Sequence, residues 1–345
     1  MASLAQVSVH PSQFPDQVRR DLLASLRGRQ VNHKFHYDSV KQTRKWLALH
    51  EAFSPARTDP DCAATYDRGF EASALQIAAP KVQLIGLGCG GGQKDTRLLK
   101  LLQDRGREVS YAPVDVSTAM VLVARQAALT AISETDCFPL VCDLATADDL
   151  PVAIEQLLGT RDEGAGRGAP VLADATGDTA RLFTFFGMIP NFEPGLILPR
   201  LASLVRRGDL LLFGANLAPG ADYAEGVRRI LPLYDNAPTR DWLMSFLQDL
   251  GVECADGELR FAIEDDPAGS GLKRVAAWFE FARARQIPLE DERFEFRRGE
   301  RLRLFFSYRH TPALVRDLLG RHGLRVLQQW ITRSEEEGVF LVASQ

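Results

Sequence analysis

The fold is decided by an apolar run that leads directly into a run of glycines, Val82-Gln83-Leu84-Ile85-Gly86-Leu87 followed by Gly88-Cys89-Gly90-Gly91-Gly92. The short continuous apolar run predicts a buried strand, and the apolar spacing of residues 96–102 predicts a helix after the glycines. Glycines at such a turn let the backbone approach a ligand closely, while free N–H groups at the helix start attract an anion. The stretch therefore predicts a strand, turn and helix with a ligand site at the turn.

Strand and helix patterns keep alternating on the carboxyl side of this unit. A second strand is predicted over residues 109–115 and a helix over 119–131. Further strands are predicted over residues 138–143, 182–186 and 210–214, with helical stretches between them. Such alternation predicts an α/β fold built on a mostly parallel sheet with helices on both faces.

The two ends of the alternating region have a different character. Residues 14–52 carry apolar positions at helical spacing around a polar loop at 32–38, and residues 218–275 predict two helices, over 223–231 and 240–250, followed by a strand near 259–263. Strands over 301–306, 330–331 and 339–342, flanking a helix over 312–319, are expected to finish the main sheet. The glycine-rich residues 160–170 predict an exposed, mobile loop.

An acidic residue adds chemistry to the glycine turn. Asp115 ends the second predicted strand, where a carboxylate can accept both hydroxyls of an adenosine ribose. With the G-x-G-x-x-G spacing of Gly86, Gly88 and Gly91, this position indicates a nucleoside site. A nicotinamide cofactor fits both features as well as S-adenosylmethionine does, and glycines can also serve packing alone, so these alternatives stay open on this pattern.

Two motifs carry a family resemblance. Gly88-Cys89-Gly90-Gly91-Gly92-Gln93-Lys94-Asp95-Thr96-Arg97-Leu98-Leu99, followed by Tyr111-Ala112-Pro113-Val114-Asp115-Val116-Ser117, resembles the histidine-specific S-adenosylmethionine-dependent methyltransferases, whose type members trimethylate histidine in ergothioneine synthesis. Further matches run in the same order: Phe35-His36-Tyr37-Asp38, Ser54-Pro55-Ala56-Arg57, Phe186-Gly187-Met188-Ile189-Pro190-Asn191-Phe192, Gly208-Asp209-Leu210-Leu211-Leu212-Phe213-Gly214 and Leu233-Tyr234-Asp235. The resemblance covers nearly the whole chain.

This resemblance implies an architecture and a cofactor. The expected fold is α/β, with a Rossmann-like class I methyltransferase core at residues 66–217 plus 286–345 and a smaller, mostly helical or mixed substrate lobe at 1–65 plus 218–285. The expected cofactor is S-adenosylmethionine, and the positions assigned to it are Gly86, Gly88, Gly90, Lys94, Asp115, Asp143 and Leu144. Lys94 can meet the methionine carboxylate, Asp115 the ribose and Asp143 the adenine amino edge.

The resemblance also assigns an acceptor site, to Tyr37, Ser54, Asn191, Tyr234, Glu280 and Ala282. Ser54 stands where the family has a tyrosine and Ala282 where it has a serine. Losing a hydroxyl beside an imidazole leaves a polar group unpaired at about 1 to 3 kcal/mol, so histidine need not be the preferred acceptor. On residue pattern alone, Glu280 fits the exposed face of an edge strand equally, and the two tyrosines fit ordinary core positions.

Composition and charge argue against several classes of binding partner. A net charge of −4 with interspersed charges offers no basic face for nucleic acid, and no segment approaches the roughly 18 apolar residues of a membrane span. With a polar N-terminus and odd, scattered cysteines, the sequence predicts a soluble cytoplasmic protein with reduced thiols. His33 and His36 lack the companions of a zinc site, so no metal is expected. The oligomeric state stays open.

These observations predict an S-adenosylmethionine-dependent N-methyltransferase whose acceptor is the amine of a small amino-acid-like substrate, histidine or a relative. Because methyl transfer from a sulfonium depends chiefly on positioning, no catalytic residue is assigned. A nicotinamide-dependent oxidoreductase and a non-catalytic nucleoside-binding relative are the alternatives. Neither a G-x-S-x-G elbow nor a Walker loop occurs, which argues against common hydrolases and NTPases.

Overall fold

The computed structural model describes residues 4–54, 59–159 and 178–345 of the chain. The predicted loop at 160–170 and residues 55–57 of the Ser54-Pro55-Ala56-Arg57 motif lie outside these described residues.

Strands and helices alternate through the middle of the chain. The strands are β1 (Ser8–Val9), β2 (Lys81–Leu87), β3 (Glu108–Asp115), β4 (Leu140–Val141), β5 (Thr179–Phe186), β6 (Leu210–Asn216), β7 (Gly257–Asp265), β8 (Lys273–Phe281), β9 (Arg285–Leu289), β10 (Glu292–Phe296), β11 (Arg301–Arg309), β12 (Leu324–Ile331) and β13 (Glu337–Ser344). The helices are α1 (Pro15–Arg27), α2 (Val40–Phe53), α3 (Pro60–Gln76), α4 (Gln93–Asp104), α5 (Thr118–Ala128), α6 (Leu150–Gly159), α7 (Pro194–Leu204), α8 (Tyr223–Ile230), α9 (Ala237–Asp249) and α10 (Pro312–Arg321).

The largest sheet confirms the predicted α/β class. Its strand order is β1-β4-β3-β2-β5-β6-β13-β12. The strands from β1 to β6 in this order run parallel, and β13 lies antiparallel between β6 and β12. Because the chain moves one way from β2 to β3 and the other way to β5, the order reverses beside β2. Ligands bind parallel α/β sheets at the carboxyl ends of the strands around such a reversal.

Both faces of this sheet are covered, which explains why its central strands are apolar on both sides. Tyr66 and Phe70 of α3 and Leu98 and Leu102 of α4 pack with buried strand residues on one face. Helices α6, α7 and α10 pack against the other face with a second set of buried strand residues. The site at the strand ends therefore stands on a rigid, close-packed base.

A second lobe, formed by α1, α2, α8, α9 and β7 to β11, packs against the strand ends. It holds a three-stranded antiparallel sheet of order β11-β8-β7 and the hairpin of β9 and β10. Its core is aromatic, with Phe35, Trp242, Phe246, Phe279 and Phe281 all buried in it. This lobe provides one wall of the cleft described below.

The structure differs from the sequence predictions in three places. The strand expected at 301–306 is present as β11, but it pairs antiparallel with β8 instead of finishing the main sheet, so residues 286–309 extend the second lobe. At the other end of the chain, residues 1–65 were expected in the substrate lobe, but β1 joins the edge of the main sheet and α3, which begins at Pro60, packs upon that sheet. The strand expected over 138–143 is only Leu140–Val141 long. An apolar pattern predicts that a segment is a strand but carries no information about its partner strand.

Candidate functional site

A deep cleft of about 720 Å³ lies where the carboxyl ends of the parallel strands face the second lobe. Leu87 at the end of β2, Asp115 at the end of β3, Asp143 after β4 and Phe186 at the end of β5 line it. Small-molecule sites measure roughly 300 to 1,000 Å³. The cleft is therefore large enough for a nucleoside-sized ligand with a second small molecule beside it.

The glycine turn between β2 and α4 forms the floor of the cleft. Gly88, Gly90 and Gly92 have φ angles of +61°, +52° and +72°, a backbone region that favours glycine. A Cβ atom on Gly88 would lie 2.5 Å from the Cγ atom of Met188. The run of glycines thus allows a left-handed turn that brings the backbone to the cleft surface.

Gly86 serves a different purpose from the one expected of it. It is not among the residues that line the cleft, and a Cβ atom there would lie 2.3 Å from Oδ2 of Asp95. Asp95 is buried and accepts hydrogen bonds from the hydroxyls of Tyr111 at 2.6 Å and Thr184 at 2.8 Å. Gly86 therefore makes room for this network beneath the turn.

Asp95 is a cleft residue that sequence reasoning missed. Burial raises the pKa of its carboxyl to about 6, and the two hydroxyl donors oppose that rise. Its place in the first turn of α4, where a negative charge is favoured, is the signal that could have singled it out.

Asp115 is joined to the glycine turn. Its Oδ2 atom accepts a hydrogen bond of 3.0 Å from the N–H of Gly90, and its Oδ1 atom accepts one of 3.0 Å from the N–H of Ser117. Burial raises the pKa of Asp115, and these backbone donors partly offset the rise. The structure therefore brings the turn and the carboxylate together, as the sequence pattern predicts.

Lys94 reaches the same cleft from the first turn of α4. Its Nζ atom lies 3.8 Å from the centroid of the Tyr66 ring, and burial lowers its pKa. The hydroxyl of Tyr66 donates to Glu337. Within the described part of the chain, Lys94 contacts the Tyr66 ring but forms no ion pair. A cation held in this way can take a ligand carboxylate.

Asp143 and Leu144 form the far wall, at the end of β4. The Oδ1 atom of Asp143 accepts from the N–H of Ala145 at 2.9 Å, while its buried Oδ2 atom has no hydrogen-bond partner. The Nζ atom of Lys34 lies 3.5 Å from this Oδ2 atom. Oδ2 thus has an ion pair but no hydrogen bond, and beside the apolar Leu144 an acceptor of this kind suits an amino group on a flat ring.

Four of the predicted acceptor residues, Tyr37, Ser54, Asn191 and Tyr234, also line the cleft, and the part that they line is here named its acceptor end. The Tyr37 ring packs with centroid distances of 5.8 Å to Trp46 and 5.6 Å to Trp242. Loss of solvent and the nearby Asp115 raise the pKa of Tyr37, so its hydroxyl stays protonated. The Tyr234 hydroxyl lies 2.7 Å from the Oγ atom of Ser307.

Glu280 and Ala282 are placed elsewhere, which contradicts their assignment to the acceptor site. Neither lines the cleft; Glu280 forms an ion pair with Arg301 at 3.1 Å, and the N–H of Ala282 donates to the carbonyl of Asp256. The reason is strand alternation: Phe279 and Phe281 enter the lobe core, so the residue between them faces outward.

Strand β11 supplies the residues that the sequence motifs missed. Phe305, Phe306, Ser307 and Arg309 all line the cleft, and the side chains of Ser307 and Arg309 contact the Tyr234 hydroxyl. Sequence reasoning missed them because it placed this strand at the edge of the main sheet instead of beside the cleft.

Comparisons with known proteins agree with this geometry. A sequence profile of the family described as histidine-specific methyltransferases, SAM-dependent, matches residues 69–344. The chain belongs to this family. The match includes the glycine turn, Asp115 and β11, whereas α1 and α2 lie before it.

One named relative is similar to the chain over most of its length. The N-methyltransferase imqF of Aspergillus flavus is 27% identical over 267 residues, which cover 75% of this chain and 66% of that protein. The chain thus spans slightly less than two thirds of that relative's length.

Solved structures resemble the chain more distantly. The magnesium protoporphyrin IX methyltransferase of Synechocystis PCC 6803 has a TM-score of 0.44 at 11% identity, covering 91% of this chain and 98% of that one. The CcbJ methyltransferase of Streptomyces caelestis has a TM-score of 0.39 at 12% identity, covering 83% and 96%. Because both TM-scores are below 0.5, the assignment of the fold rests on the strand order of the main sheet.

Two features are absent from the described residues. None of the helices within 4–54, 59–159 and 178–345 has the length and apolar character needed to cross a membrane. Over the same ranges, no group of three or more His, Cys, Asp or Glu residues could hold a metal ion.

Proposed function

We propose that this chain transfers a methyl group from S-adenosylmethionine to the amine of a small amino-acid-like acceptor, histidine or a relative. The observation that carries the proposal is the 3.0 Å hydrogen bond between the Gly90 N–H and Asp115, in a cleft that a separate set of polar groups also lines. One cavity thereby offers a nucleoside site and a second site beside it.

The residues of the first site fit S-adenosylmethionine. Asp115 would accept the ribose hydroxyls, since its carboxylate lines the cleft at the end of β3. The Oδ2 atom of Asp143, which lies 3.5 Å from Lys34 but has no hydrogen bond, would accept from the adenine amino group, with Leu144 against the ring. Lys94 would meet the methionine carboxylate, and Gly88 and Gly90 would let the chain approach closely.

When bound, S-adenosylmethionine supplies an electrophilic methyl group on a sulfonium. The protein must then hold a neutral amine in line with the bond from sulfur to methyl, and positioning of that kind can contribute on the order of 7 to 11 kcal/mol at best. Tyr37, Asn191 and Tyr234 line the cleft where an acceptor would lie. Because Tyr37 stays protonated, its hydroxyl would orient the acceptor by hydrogen bonding and would not remove a proton.

The walls around the acceptor narrow the choice of substrate. Trp46, Trp242 and Phe305 all line the cleft, whereas the carboxylate of Glu280, which the family resemblance assigns to the acceptor site, lies outside it. The cleft therefore offers aromatic walls to an acceptor and lacks this carboxylate. This supports an acceptor with a larger apolar or aromatic body over histidine itself.

The test incubates the purified chain with methyl-labelled S-adenosylmethionine and a panel of histidine, tryptophan, other amino acids and small amines. The expected result is labelled N-methyl product from at least one amino acid. Binding of NAD without binding of S-adenosylhomocysteine would support the oxidoreductase alternative instead. Binding of S-adenosylhomocysteine with no transfer to any member of the panel would support a non-catalytic relative.

A further inference from the structure

Four arginines are buried in the described part of the chain, namely Arg125, Arg274, Arg303 and Arg309. Arg125 pairs with Glu134, and Arg274 lies 3.3 Å from Glu193 and 3.2 Å from Glu264. Arg303 lies 3.8 Å from Glu193. Arg309, which is 5% exposed, has no such partner among the described carboxylates.

The contacts of Arg309 are with neutral oxygen atoms. One terminal nitrogen donates to the carbonyl of Leu217 at 3.2 Å, and the other donates to the Tyr234 hydroxyl at 2.8 Å. Its Nε atom is buried without a hydrogen-bond partner. The guanidinium lies 5.3 Å from the centre of the Tyr234 ring, and the residue lines the acceptor end of the cleft.

This arrangement leaves a positive charge uncompensated. A guanidinium stays protonated in proteins, and a buried charge is costly unless an opposite charge accompanies it. The neighbouring His310 is buried, with a pKa lowered by burial to about 4, and is therefore neutral. Nothing among the described neighbours balances Arg309, whereas an anionic ligand in the cleft would do so.

We infer that Arg309 binds a carboxylate of the methyl acceptor, with the hydroxyls of Tyr234 and Ser307 beside it. The acceptor is thus an amino acid or another anionic amine, and decarboxylated amines of the same shape are poor substrates. The inference rests on the proposed function, because it names the substrate class of the same cleft. It adds a specificity-determining residue that the sequence motifs did not identify.

The carboxylate could belong to the backbone of an amino acid or to its side chain, and matched substrates separate the two. Tryptophan with tryptamine, histidine with histamine and phenylalanine with phenethylamine differ by the α-carboxylate. Glutamate and glutamine differ in the side-chain carboxylate. Losing a hydrogen bond to a charged group corresponds to a change of about 10- to 150-fold, which is the preference for the acidic member expected in kcat/KM.

Variants of Arg309 test whether this residue causes the preference for the acidic member of each pair. Arg309→Met is expected to raise KM for the acidic member by a similar factor and to bring the two members of a pair close together, while Arg309→Lys retains part of the preference. Arg301→Met, on the same strand but exposed and paired with Glu280, is the matched control that should keep the preference. Melting temperatures and S-adenosylhomocysteine affinity report whether each variant is folded.

Binding provides a readout that does not need turnover. Trp46 and Trp242 line the cleft, so tryptophan fluorescence of the S-adenosylhomocysteine complex can follow titration with each non-indole acid and amine. Equal use or equal binding of both members of every pair overturns the inference, as does a loss of S-adenosylhomocysteine affinity in Arg309→Met. Failure to bind S-adenosylhomocysteine at all overturns the proposed function instead.

Discussion

Asp95 and Asp115 are two buried carboxylates that both line the cleft but have different neighbours. Asp115 is held by backbone N–H groups, which leaves lone pairs of its oxygens for a ligand. Asp95 accepts from two side-chain hydroxyls beneath the turn. We therefore expect replacement of Asp115 to affect cofactor binding and replacement of Asp95 to affect mainly the stability of the fold.

Replacement of Asp115 by asparagine should weaken binding of S-adenosylhomocysteine by about 10- to 150-fold, the effect of losing hydrogen bonds to a charged group. Asp104→Asn is the control, since Asp104 is exposed at the end of α4 and outside the cleft. Isothermal titration calorimetry measures both variants. Equal affinities for the two variants would contradict the role of Asp115.

Asp95 predicts a pH dependence of stability. Burial raises its pKa from 3.8 to about 6, so the folded state binds more protons than the unfolded state between those values. The contribution of this group to the free energy of unfolding is therefore largest at low pH and declines as pH rises through that window. Asparagine does not titrate, so the stability difference should move in favour of Asp95→Asn by about 2 to 3 kcal/mol between pH 4 and pH 7.

Urea unfolding of both proteins at several pH values measures this difference, and the comparison cancels groups that titrate alike in both. A stability difference that stays constant with pH would show that Asp95 does not titrate in this window.

At the scale of elements, the glycine turn between β2 and α4 combines backbone strain with close contact. Gly88 and Gly106 both have positive φ angles, but a Cβ atom on Gly106 would meet nothing within 4 Å. Alanine at either position should cost about 1 to 2 kcal/mol of stability through the left-handed backbone. Only Gly88→Ala also displaces Met188 at the cleft, so only this variant should lose S-adenosylhomocysteine affinity, by tenfold or more.

Thermal unfolding and calorimetry of the two alanine variants separate these effects. Loss of affinity in Gly106→Ala, or full affinity in Gly88→Ala, would contradict the description of the turn.

The individual elements also show which parts of the fold could be predicted from the sequence. Strands β2, β3, β5 and β6 were predictable because each is a short apolar run next to a turn, and the approach of Asp115 to the glycine turn followed from the geometry of parallel strands. The pairing of β11 with β8 was not, because local pattern does not name a partner strand. Glu280 was assigned to the acceptor site by the family resemblance, whereas the alternation of its strand, which fits an outward-facing side chain, agrees with the structure. The charge environment of Arg309 depends on residues distant in sequence.

At the scale of the whole molecule, the cleft lies between the main sheet and the second lobe, and residues of both line it. Lys34, on the second-lobe side, pairs with Asp21 of α1 and lies 3.5 Å from Asp143 after β4. The Oγ1 atom of Thr43 on α2 lies 3.3 Å from the Oγ atom of Ser117, which follows β3. A ligand that contacts both sides should therefore stabilise the folded chain as a unit.

Binding of S-adenosylhomocysteine at 100 times its dissociation constant should raise the free energy of unfolding by about 2.7 kcal/mol, which a thermal-shift experiment detects as a higher melting temperature. The Asp115→Asn protein at the same ligand concentration is the control and should show a smaller rise. Equal rises in the two proteins would mean that the ligand binds outside the cleft.

The central claim is that the glycine turn and Asp115 form a site for S-adenosylmethionine. The most direct measurement is a calorimetric titration of the purified chain with S-adenosylhomocysteine and, separately, with NAD. The expected result is binding of one S-adenosylhomocysteine per chain, weakened by Asp115→Asn, with no heat from NAD. Saturable NAD binding in the absence of any S-adenosylhomocysteine binding would contradict the claim.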